Sequence, residues 1–124
     1  MKFILPLYIE LWKIKKKKIL VWLNWYRNAH YFEVNKVKKI YHQIVKEKAG
    51  NIKIEERIYL IYKVYIKNKR TDYHNIRSII EKFFLDWLVE NLNIKDDSFD
   101  YVGGDECEVF IDKENPRIEI EIFT

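Results

Sequence analysis

The sequence is poor in residues that break or cross-link a chain: one cysteine, two prolines and three glycines among 124 residues. A lone thiol, Cys107, excludes an internal disulfide. No second thiol or paired histidines stand near it at the spacing of a structural zinc site, and a reducing cytoplasm fits this usage. So little glycine and proline, beside 34% charged residues, argues against a linker-rich or disordered chain. Long hydrophobic runs are missing as well. The apolar opening at 3–12 is interrupted by Pro6 and Glu10 and falls far short of the ~20 residues of a membrane span. Lys15, Lys16, Lys17 and Lys18 follow that stretch, whereas a signal peptide places its basic residues first. The expectation is a soluble cytoplasmic protein, of the host cell if phage-encoded, with no membrane partner.

What is present is ample for a core. Hydrophobic residues make up 48% and aromatics 16%, enough for one domain over 1–124 and too few residues for two ordinary ones. The net charge of +4 conceals a division. Residues 1–70 carry 18 Lys and Arg against 5 Asp and Glu, a balance of +13, and residues 71–124 carry 5 against 14, a balance of −9. A basic half attracts polyanions such as nucleic acid, and an acidic half can hold divalent cations. The bland alternative is that both are solvated faces.

Periodicity gives the order of elements. Strand structure is expected within 2–22, including the imperfect alternation that ends at Ile14. Residues 23–30 read as a polar and aromatic surface loop. From Glu33 the apolar residues Val34, Val37, Ile40, Tyr41, Ile44 and Val45 recur at helical steps, and Gly50 suits a C-terminal cap. Residues 57–67 alternate as a central strand. A long amphipathic helix follows, with Ile76, Ile79, Ile80, Phe83, Phe84, Trp87 and Leu88 on its apolar side. A turn at Gly103 and Gly104 leads to strands at 107–111 and 117–123. The predicted fold class is α/β (α+β), with a small mixed sheet and two main helices sharing one face.

The stretch 71–97 carries the chemistry. It places Asp72, His74 and Asn75 after the central strand, Lys82 and Asp86 on the long helix, and Asp96 and Asp97 beyond it. Hydrolysis of a phosphodiester needs a cation to neutralise the phosphate and deliver an ionised water, and Mg²⁺ favours a few carboxylate oxygens. Asp72 and Asp97 are the first choices as ligands, with Asp96 or His74 next. Lys82, or Arg77 in its place, would stabilise charge on the phosphate; Asn75 would orient a ligand, and Asp86 would hold the lysine. Each also has a structural reading: Asp72 as a helix N-cap, Asp96-Asp97-Ser98 as a turn, and Lys82 with Asp86 as an exposed i,i+4 pair.

These residues resemble the RusA-type Holliday junction resolvases of phages and prophages. That family has an Asp-x-Asp-Asn motif after a strand, a helix with Lys and an Asp four residues on, and an Asp-Asp pair beyond. Here the letters are Asp72-Tyr73-His74-Asn75, Lys82 with Asp86, and Asp96-Asp97. Leu23-Asn24-Trp25-Tyr26, followed by a basic helix, also resembles phage members. His74 departs from the pattern, standing where the family has its second Asp, and about four residues are added before Lys82, close to one helical turn. The resemblance implies a RusA-like fold and a homodimeric, Mg²⁺-dependent endodeoxyribonuclease, with Mn²⁺ able to substitute. Such an enzyme resolves four-way DNA junctions by paired nicks in recombination and repair. Lys15, Lys16, Lys17, Lys18, Trp25, Tyr26, Arg27, Lys69, Arg70 and Arg77 are the expected DNA contacts. Two rival readings stand beside it: a non-catalytic nucleic-acid-binding phage protein of the same fold with a degenerate metal site, and a phage structural or partner-binding protein.

Overall fold

A computed structural model describes residues 1–12, 15–91 and 93–124. Its elements in chain order are β1 (Lys2–Pro6), β2 (Tyr8–Trp12), β3 (Lys16–Leu20), α1 (Leu23–Asn28), α2 (Tyr31–Ala49), β4 (Ile58–Ile66), α3 (Tyr73–Glu90), β5 (Val102–Ile111) and β6 (Arg117–Phe123). The main sheet has the order β1-β6-β4-β5, and β2 pairs with β3 in a separate two-stranded sheet. Among the described residues only the β4–β5 pair is parallel; β1–β6, β4–β6 and β2–β3 are antiparallel. The chain is therefore a mixed α+β protein. Among the described residues no helix is long and apolar enough to cross a membrane.

The alternation in β4 explains its central place. Ile58, Leu60, Tyr62, Val64 and Ile66 are all buried, because period-two alternation sends them to one face. Phe3 and Leu5 of β1 and Ile118, Ile120 and Ile122 of β6 continue that face through the register. Both long helices cover it. Phe84 of α3 packs edge-on against Phe3 at 5.0 Å, and Phe83 meets Tyr41 of α2 at 6.0 Å. Tyr41 also donates a 2.6 Å hydrogen bond to the Pro6 carbonyl, which pins α2 to the end of β1. The helix predicted from Glu33 is α2, and it closes on Gly50 at φ 55°, a left-handed conformation that glycine adopts without strain.

Two expectations need correction. Residues 23–30 are not a loop: Leu23–Asn28 form the short helix α1, capped by the Ala29 N–H on the Trp25 carbonyl. The fold therefore has a third, minor helix beside the two main ones. Gly103 and Gly104 are not a turn but lie inside β5, where the register with β4 slips by one residue. A Cβ on Gly103 would sit 2.7 Å from the Tyr59 ring, so close approach and not turning is what demands glycine there. Of the alternating run near the N-terminus, Ile14 lies outside the described residues.

The sheet face away from the helices is held by ions. Glu119 of β6 is buried, yet it pairs with Lys2 at 2.8 Å and accepts from Arg117 Nε at 2.9 Å. Arg117 reaches on to Asp112 at 2.8 Å, tying β6 to the end of β5. Burial alone would raise the Glu119 carboxyl, but hydrogen bonds from Lys2 and Arg117 outweigh it and hold the group below the usual carboxylate range. The unfolded chain then binds more protons than the folded one as pH falls. This contribution is complete above the ordinary value of 4.5 and is lost as pH drops through the folded value. Glu119→Gln should lower stability at neutral pH by about 1–2 kcal/mol. It should also make the fall in melting temperature from about pH 6 to about pH 3 shallower than in the parent, as followed by circular dichroism. An unchanged acid limb would remove Glu119 as its source.

Candidate nucleic-acid interface

The path of the chain from β4 through α3 into β5 fixes where the acidic residues stand. Asp72 is the N-cap of α3: its Oδ1 accepts from the Asn75 N–H at 3.4 Å and its Oδ2 accepts from Asn75 Nδ2 at 2.7 Å. His74 is exposed in the first turn, its ring 4.0 Å from that of Tyr73. Eighteen residues of α3 span about 27 Å, and only then does the chain reach Asp96 and Asp97. Asp96 accepts from the Ser98 N–H at 2.7 Å, and the hydrogen bonds from Ser98 hold its carboxyl below the usual range. Ser98 in turn accepts from Tyr101 and Val102, and Val102 pairs with Ile58 at the start of β4. Asp72 follows the end of the same strand. The aspartates of one chain thus lie at opposite ends of the sheet.

The expected ligand set is therefore not assembled within one chain. Mg²⁺ needs carboxylate oxygens at about 2.1 Å from a single centre, and Asp72, His74, Asp96 and Asp97 do not fit around one. Among the described residues no group of three or more His, Cys, Asp or Glu gathers as a metal site would require. Lys82 donates to Asp86 at 3.4 Å on the exposed side of α3, about 15 Å along the axis from Asp72.

Arg77, expected as a stand-in for Lys82 and as a DNA contact, is committed elsewhere. It pairs with Asp105 of β5 at 2.6 Å and with Glu81 at 3.2 Å, and its guanidinium lies 4.3 Å over the Tyr62 ring. Burial raises the Glu81 carboxyl despite that arginine, and raises the Tyr62 hydroxyl further. This cluster fastens α3 to β4 and β5 and leaves no free cation to meet a phosphate.

The basic residues form a different surface. In the β2–β3 hairpin Ile9, Leu11 and Ile19 are buried, and Lys17, opposite Leu11, points to the same side. Lys17 reaches Glu33 of α2 at 2.8 Å, and Glu33 also accepts from Trp25 Nε1 at 2.9 Å. That buried carboxylate joins hairpin, α1 and α2. On the other side of the hairpin, Lys16 pairs with Glu10 at 2.8 Å and stands 5.7 Å over Trp12, while Lys18 stands 4.9 Å over Tyr8. Lys15 is exposed, as are Arg27 in α1 and Lys69 and Arg70 after β4. Lys18 also shares a small cleft with Lys67 and Lys113 at the end of β4 and β5.

Where hairpin and helices meet, a cleft of about 960 Å³ opens, lined by Lys17, Asn28, His30, Phe32, Lys36 and Lys39 among others. Phe32, Lys36 and Lys39 fall at i, i+4 and i+7, one stripe of α2. Phe32 and its neighbour Tyr31 are 62% and 61% exposed. By contrast Trp25 and Tyr26, the aromatics expected to stack on bases, are half-buried. Trp25 is held by Glu33, and Tyr26 packs 6.0 Å from Phe83. The readable signal was partial: Phe32 falls four and seven residues before Lys36 and Lys39 and off the apolar positions of the helical pattern.

No protein-family model matches this sequence, and no curated protein sequence matches it either.

The capping role of Asp72 is directly measurable. Asp72→Ala should cost about 1 kcal/mol and Asp72→Asn almost nothing, since asparagine caps as well as aspartate. Both differences should be the same with and without millimolar Mg²⁺ or Mn²⁺ in scanning calorimetry. A metal-dependent rise in melting temperature that both Asp72→Asn and Asp97→Asn remove would join the two ends of α3 in one site.

Proposed function

We propose that this protein binds DNA through the basic, aromatic-lined cleft between the β2–β3 hairpin and the start of α2, and that its substrate is branched DNA such as a four-way junction. The observation that carries the reading is the convergence of exposed Lys36 and Lys39 with exposed Phe32 around one cleft, next to Lys17, whose own charge is paired with Glu33. Lysines contact phosphates without reading sequence, so binding of this kind is strongly salt-dependent. The branched substrate comes from the resemblance to RusA-type resolvases. This is the non-catalytic binding reading, and it needs no metal.

A second reading is junction resolution by a Mg²⁺-dependent homodimer. It is favoured by one observation: Asp72 and Asp97 are both exposed, at opposite ends of the sheet. Two copies could then contribute complementary halves, as the two-fold symmetry of a junction also asks.

Titration of a labelled synthetic four-way junction, monitored by fluorescence anisotropy, tests both. Joint replacement of Lys36 and Lys39 by Ala should weaken binding at least tenfold and flatten the slope of log affinity against log salt by roughly 2. Unchanged affinity would rule out this cleft. Incubation with Mg²⁺ should give no nicked product under the first reading. Under the second, product forms, is lost in Asp72→Asn and in Asp97→Asn, and returns in part when the two variants are mixed.

A further inference from the structure

At the rim of the cleft lies a feature that phosphate binding alone does not use, in which His30 and Phe32 line the cleft and Tyr31 packs against them from outside its lining. His30, Tyr31 and Phe32 bring three consecutive rings together at the junction of α1 and α2: 4.6 Å between His30 and Tyr31, 4.9 Å between His30 and Phe32, and 4.2 Å between Tyr31 and Phe32. The arrangement is anchored from within, because His30 is the N-cap of α2 and its Nδ1 accepts from the Phe32 N–H at 3.2 Å. Such a cap fixes the backbone from which Tyr31 and Phe32 project, so the rings are held in place and not merely exposed. Two large aromatics more than 60% exposed leave substantial apolar surface in water, and neither packs into the core, which is formed by other side chains.

We infer that this ring cluster is a stacking platform for unpaired nucleobases, and that the protein's preferred ligand is a single-stranded segment of nucleic acid, in place of continuous duplex. The inference rests on the DNA-binding reading of the same cleft and narrows its substrate. In a duplex each base is covered on both faces by its neighbours, so a side-chain ring finds a free π-face only where bases are unpaired. Phe32 stands at one end of the helical stripe and Lys39 at the other, about 10 Å apart along α2. A base on the ring therefore has its strand continue over Lys36 and Lys39. Asn35, also lining the cleft, supplies an amide group for base edges or sugar hydroxyls, whereas the amide nitrogen of Asn28 already donates to Asn24.

The test uses the full chain with four labelled probes: oligothymidine, its RNA counterpart, a blunt duplex of equal length, and a four-way junction. Oligothymidine should bind more tightly than the duplex. Joint Tyr31→Ala and Phe32→Ala replacement should weaken oligothymidine binding about tenfold or more, a clearly larger loss than it causes for the duplex. Phe32→Trp should retain affinity, with the new indole fluorescence quenched on addition of oligothymidine; Phe32→Leu, apolar but without a π-face, should not. The RNA probe tells whether the platform distinguishes the sugar. Since both side chains are largely exposed, the melting temperature should hold and separate a binding loss from misfolding. If the lysine replacements weaken binding but the aromatic ones do not, or if duplex binds as tightly as oligothymidine, the platform is overturned while the DNA-binding reading survives. If neither set matters for any probe, the DNA-binding reading has itself failed.

Discussion

The rest of the structure depends on the pairing of β4 on both sides, antiparallel to β6 and parallel to β5. A parallel neighbour that follows in sequence can be reached only by a crossover, and here α3 is that crossover. The helix must return the chain along the full length of the strand it has just left. Every residue at its N-terminus is then carried to one end of the sheet and every residue beyond its C-terminus to the other. The separation of Asp72 from Asp96 and Asp97 is thus a consequence of topology. No side-chain rotation repairs it, and only a second chain can.

Much of the fold was legible because its signals are local. The alternation around Tyr62, the helical spacing from Val34 to Val45 and the glycine at position 50 each have a single geometric solution. The site was less legible. Spacing along a helix says which residues share a face, but Lys82 and Asp86 look the same whether they serve a phosphate or merely pair with each other. Asp72 likewise satisfies the needs of an N-cap and of a ligand with the same carboxylate. The internal contacts of Trp25 and Tyr26 were hidden for a related reason: the short α1 sets them against Glu33 and Phe83, and six residues are too few for a periodic signal. Arg77 was only half legible: its i,i+4 partner Glu81 stands in the sequence, but Asp105 is far away in it.

The charge division of the sequence survives in space in an altered form. The basic half does not make one uniform surface. Lys17 is spent on Glu33, and Lys16 and Lys18 rest on Trp12 and Tyr8. What these contacts do is stiffen the hairpin and hold its positive potential beside α2, where Lys36 and Lys39 add to it. Buried Glu33 is the acidic residue on which that arrangement turns. With one carboxylate accepting from both a lysine and an indole, the hairpin and α1 have a fixed position against the helix.

The acidic half has its own consequence at the outer edge of the sheet. Among the described residues β5 has no neighbouring strand on its outer side, and its exposed residues include Glu106 and Glu108, with Asp105 paired to Arg77. Two copies meeting there in antiparallel fashion would bring carboxylates against carboxylates along the shared ladder. Open strand edges invite chains to zip together into larger aggregates, and clustered like charge is one way in which sheets resist it. Like charge along this edge therefore disfavours strand-to-strand pairing with a second copy of the chain there.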